Sequence, residues 1–113
     1  MKSDLDLLWD SFNFYSSEVS RIENVHIRDL AQLSRVEYKK GTLKDKCLAN
    51  IHSLIHLYQK QNLCLSQIID YSQDADYIPK EYQVDDNLLQ SLQEITNNLI
   101  EDMKQTKLEI ESY

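Results

Sequence analysis

Three histidines, two cysteines and a scatter of carboxylates are the residues of this chain that could do chemistry. His52 and His56 stand four residues apart, which puts two imidazoles on one helix face, as in many zinc sites. At about 100° per residue, Asp45 projects within about 40° of the same direction. Two strong ligands are short of a metal centre, and no H-E-x-x-H or E-x-x-H pattern supplies more. The pair is therefore expected to flank an apolar stripe as ordinary polar residues, with no metal and no cofactor. Cys47 and Cys64 are 17 residues apart in one expected helix, about 25 Å along its axis. A disulfide needs Cα atoms within about 7 Å, so both read as apolar fillers in a reduced compartment.

Arg21 and His26 form an R-x4-H pair. It resembles the motif of the small all-helical HEPN ribonucleases over six residues, and would imply an RNA-cleaving site. The family usually has a polar residue after the arginine and carries the motif late in the chain. Here Ile22 follows Arg21, and the pair falls in the first helix. None of the histidines begins the H-x-x-K-G pattern of histidine phosphotransfer domains, and one glycine cannot build a phosphate loop. A nuclease or metal-dependent enzyme is the third of three alternatives.

The elements that must position these residues are helices. The chain has 113 residues, one glycine (Gly41) and one proline (Pro79). A sheet protein of this size needs several tight turns and the residues that make them. Residues 4–40 are expected as the first helix: Leu5, Leu8, Phe12, Tyr15, Val19 and Ile22 form a heptad-like seam. The seam then meets His26 and Asp29, and a stutter restores it at Leu30 and Leu33. Lys39, Lys40 and Gly41 suit a helix C-terminus, with the glycine in the left-handed position. Thr42 and Asp45 resemble a capping box opening a second helix over 43–72. Its apolar arc, from Leu43 through Ile69, is wide enough for two neighbours, making it the central element.

Residues 73–85 are expected as a loop, with Tyr77 and Tyr82 as a secondary candidate contact. A third helix over 86–111 has the stripe Leu88, Leu92, Ile95, Leu99, Met103 and Ile110. The expected fold is one all-α domain: an elongated up-down-up three-helix bundle, or a helical hairpin with a third helix, joined by coiled-coil-like seams.

Charge narrows the function classes. The formal charge is −7, and residues 85–113 hold most of the excess. An acidic chain without a basic stripe lacks the footprint for direct nucleic-acid binding. No apolar run is long enough for membrane insertion, and MKSDLDLLWD lacks the apolar core of a signal peptide. An intracellular protein, cytoplasmic or nuclear, is expected.

The informative anomaly is on the first helix. With Phe12 at zero, Leu7, Phe14 and Val25 project at about 200–220°, opposite the core stripe, and Trp9 at about 60°, at its edge. These four are the candidate partner-binding residues. The leading expectation is a non-catalytic interaction subunit of a larger assembly, hetero- or homo-oligomeric, whose partner is helical. A small acidic chaperone, immunity or antitoxin protein masking a cognate partner is the alternative.

Overall fold

A computed structural model describes residues 3–35, 40–74 and 86–112. It is an all-α three-helix bundle: α1 spans Asp4–Arg35, α2 Lys40–Asp74 and α3 Asp86–Glu111. At about 1.5 Å per residue the three are roughly 48, 52 and 39 Å long. Among the described residues there is no strand.

A reciprocal cap opens α1. The Asp6 amide donates to Ser3 Oγ (3.2 Å) and the Ser3 amide to Asp6 Oδ2 (3.4 Å). Two amides that lack helical partners are thereby satisfied, and Asp4 and Asp6 face the positive end of the helix dipole. The inward side of α1 buries Leu5, Val19 and Leu33 against α2, with Leu8, Phe12, Ile22 and Leu30 at the edges.

The α1–α2 boundary differs from the expected one. Lys40 and Gly41 belong to α2, and α1 ends at Arg35. Gly41 is thus a helical residue and does not close α1. Thr42 lies inside α2 and does not cap it. Packing explains the earlier start: Leu43 joins the cluster of Leu33, Cys47, Ile51 and Ile110, and Lys44 Nζ donates to the Glu111 carbonyl at 3.2 Å. A glycine in a helix costs about 1 kcal/mol relative to alanine, which such contacts offset. At the other end α2 continues through Gln73 to Asp74. Tyr77, Pro79 and Tyr82 lie outside the described residues.

Three apolar clusters run down the bundle, each with side chains from all three helices. The first joins Leu5, Leu65, Ile68, Ile69 and Leu89; the second Val19, Leu54, Tyr58 and Ile100; the third Leu33, Cys47, Ile51 and Ile110. Pairing of Leu5 with Ile69 and of Leu33 with Cys47 fixes α1 and α2 as antiparallel, and α3 runs back parallel to α1. As its wide apolar arc implies, α2 is central and packs on both neighbours. The neighbours stay apart: among the described residues, no Cα of α1 lies within 8 Å of one in α3. The Cα extents, 61 × 26 × 15 Å, reflect this opening.

The inward side of α3 is also displaced from the expected stripe. Leu89, Thr96, Ile100 and Ile110 are buried, whereas Leu88 and Ile95 are 56% and 55% exposed. Gln93 and Asn97 explain the rotation. Gln93 Nε2 donates to Ser66 Oγ at 2.7 Å, and Asn62 Nδ2 to Asn97 Oδ1 at 2.7 Å, turning this side of α3 onto α2.

Candidate interaction surfaces

The four candidate residues of α1 do not form one surface. Leu7 and Phe14 are 51% and 61% exposed, and Val25, on the same side of the helix, is half-buried. About 10 Å separates Leu7 from Phe14 along the axis, and about 16 Å separates Phe14 from Val25. Phe14 stands edge-on to Tyr15, ring centroids 5.7 Å apart, which limits its rotamers. Trp9 is elsewhere. It lies edge-on to Phe12 at 5.7 Å and packs on the first apolar cluster.

Two shallow grooves follow the outer seam of α1 and α2. One, of about 420 Å³, is lined by Asp4, Leu7, Leu8, Ser11 and Gln67. The other, of about 340 Å³, is lined by Glu18, Ile22, His52, Ser53, His56 and Leu57. Leu7 therefore edges a groove as well as standing on the helix surface. Along α1, Phe14 comes between the two sets of lining residues.

The histidine pair opens into the second groove, with both imidazoles exposed. Glu18 shares that groove, but its carboxylate accepts a 2.6 Å hydrogen bond from Arg21, which holds it below the usual carboxylate range. Among the described residues no three His, Cys, Asp or Glu side chains are placed to hold a metal ion. Asp45 is exposed and does not join the pair in either groove. Cys47 and Cys64 are free and buried, and burial pushes both thiols up.

The R-x4-H residues have different surroundings. Arg21 is exposed and engaged by Glu18; His26 is buried with Nδ1 unpartnered. Burial pulls the His26 imidazole below its ordinary value, against the opposing pull of Asp29 and Glu23. His26 belongs to a polar stretch of the α1–α2 interface. There Tyr58 Oη donates to Glu23 and Asn50 donates to Asp29. The seam thus passes through His26 and Asp29 by giving them buried positions, which the apolar periodicity did not anticipate. Asn50 is the partner that satisfies the buried Asp29, while Tyr58 bonds Glu23 nearby.

Exposed Ile27 on α1 and Leu88 and Ile95 on α3 were not singled out from sequence as surface residues. For α3 the signal was present. Leu88–Leu89, Ile95–Thr96 and Leu99–Ile100 are adjacent pairs, so two neighbouring stripes compete for the inward side.

No family model, curated protein or solved structure matches this chain. Among the described residues, no helix is long and apolar enough to cross a membrane.

Proposed function

We propose that this protein is a non-catalytic helical subunit that assembles with another protein through the outer side of α1. One observation carries the proposal: α1 is apolar in two directions, and α2 covers only one of them. Leu7 and Phe14 remain more than half exposed. A large aromatic and an aliphatic side chain on a rigid helix, beside a groove, are the chemistry of an anchor for a partner helix. The acidic surface adds selectivity against acidic partners.

The test is isolation of the tagged chain from its native cell, as wild type and as the Leu7→Ala/Phe14→Ala double variant. A stoichiometric protein partner is expected with wild type and lost with the variant, while far-UV helicity stays unchanged. A partner retained in full by the variant removes α1 from the interface. A wild-type chain isolated as a lone monomer contradicts the function.

A further inference from the structure

His52 and His56 stand in the middle of α2, on a stretch whose inward side is pinned by buried Ile51, Leu54 and Tyr58. Tyr58 is tied in turn to Glu23 of α1. The backbone that carries the two imidazoles is therefore held by packing as well as by helical hydrogen bonds. Side chains four apart on a helix are neighbours, with Cβ atoms about 5–6 Å from each other. Both imidazoles are exposed, and both line the groove of about 340 Å³ on the outer seam of α1 and α2. Neither has a hydrogen-bond or ion-pair partner among the described residues, so their ring nitrogens are uncommitted.

A closed zinc centre takes four protein ligands and an open catalytic one three; a chelate takes two. Zinc–imidazole bonds of about 2.0–2.1 Å put the two nitrogens on one ion roughly 3–3.5 Å apart. Imidazoles on successive turns reach that separation by side-chain rotation alone, and this is the spacing with which a single helix presents two zinc ligands. The donors select the metal. Imidazole suits zinc, nickel and copper, whereas magnesium and calcium take oxygen ligands. The surroundings limit the protein to these two ligands. Glu18 lines the same groove from α1, but its carboxylate is engaged by Arg21 at 2.6 Å. Ser53 offers only a hydroxyl, and Ile22 and Leu57 are apolar walls. Lys60, four residues beyond His56, puts a positive charge on the same side of α2 and works against the ion. The remaining coordination positions are thus left to water in the groove.

We propose that His52 and His56 are a two-ligand chelating site for a divalent transition metal of the zinc, nickel and copper class, open to the groove. The site uses neither Leu7 nor Phe14, so it stands or falls separately from the interaction-subunit function.

The experiment titrates the 113-residue chain, free of any affinity tag, with Ni²⁺ and separately with Zn²⁺ by calorimetry, and follows the unfolding midpoint in parallel. Saturable binding of one ion per chain is expected. The midpoint should climb with metal concentration, because only the folded helix sets the pair at chelating distance. His52→Ala and His56→Ala should each weaken binding about tenfold or more. The double variant should be no worse than either single one, since a chelate is lost with its first ligand. Both side chains are exposed, so far-UV helicity should be unchanged in all three. His26→Gln should bind metal as wild type does, and an equal concentration of Mg²⁺ should not compete. Absence of saturable binding overturns the proposal, as does binding that leaves the midpoint unmoved. Binding that survives the double variant, or displacement by Mg²⁺, would put the ion on carboxylates instead. Additive losses from the two single variants would mean two independent imidazoles and no chelate.

Discussion

Asn50 Nδ2 donates a 2.8 Å hydrogen bond to Asp29 Oδ2 across the α1–α2 interface, where the aspartate is buried. Arg28 Nε lies 3.6 Å from the other carboxylate oxygen. A buried carboxylate persists only when its oxygens are satisfied, so Asn50 is a condition for Asp29 being on the seam at all. Asp29→Ala should cost about 1–3 kcal/mol, since it also strands the Asn50 donor. Chemical unfolding of Asp29→Ala, Asn50→Ala and the double variant should give non-additive losses. Strict additivity would show that the two side chains are not coupled.

Gly41 distinguishes two ways of joining α1 to α2. As a left-handed terminator of α1 it would resist replacement; as a helical residue of α2 it would not. An added Cβ at Gly41 meets no atom within 4 Å. Gly41→Ala should therefore raise stability by about 0.4–1 kcal/mol in thermal or urea unfolding. A loss of that size would restore the turn to residue 41.

Side-chain truncation along α3 tests its rotation. Leu89→Ala and Ile100→Ala remove fully packed side chains and should cost about 2–5 kcal/mol each. Leu88→Ala and Ile95→Ala should stay within about 0.5 kcal/mol, as exposed substitutions do. The reverse order would put the 88–95 stripe back in the core.

The helical class and the central place of α2 were legible because both follow from the apolar arc and the scarcity of turn residues. What escaped were cases where local grammar and packing disagree. Gly-Thr at 41–42 has the local form of a helix stop and start, but Leu43 and Lys44 have partners that extend α2 through it. On α3 two adjacent stripes were available, and the polar contacts of Gln93 and Asn97 with α2 decided between them. Among the candidate surface residues, Leu7 and Phe14 follow from angle alone, because helical projection needs no partner. Trp9 did not, since its place at the arc's edge is decided by packing against the first apolar cluster, to which α2 and α3 contribute. His26 and Asp29 were visible as breaks in the seam, but the partner of the buried Asp29, Asn50, lies 21 residues away.

His26 links the fold to pH. Its folded-state value lies below the ordinary 6.5 because burial disfavours the imidazolium. Below about pH 6.5 the unfolded chain takes up a proton that the folded one resists. The stabilising contribution of a neutral His26 is thus complete above that pH. It is lost progressively as pH falls from there to the folded-state value. Unfolding free energy measured between pH 7.5 and pH 5 should decline more in wild type than in His26→Gln. Parallel curves would mean that His26 is solvated or paired in the folded state.

The outer side of α1 is accessible in the free chain and should be covered in the assembly. Ser11 lines the groove beside Leu7, and Ser11→Cys leaves Leu7 and Phe14 intact. The native cysteines are buried and give little background to a thiol reagent. Gln105→Cys, on the exposed side of α3, serves as the reference. The decisive measurement is the rate of thiol labelling at both positions, in the purified chain and in the complex isolated from the native cell. Protection of Ser11→Cys by about tenfold or more in the complex is expected, with Gln105→Cys labelling at the same rate in both. Equal labelling of Ser11→Cys in the two states would contradict the assignment of α1 as the interaction surface.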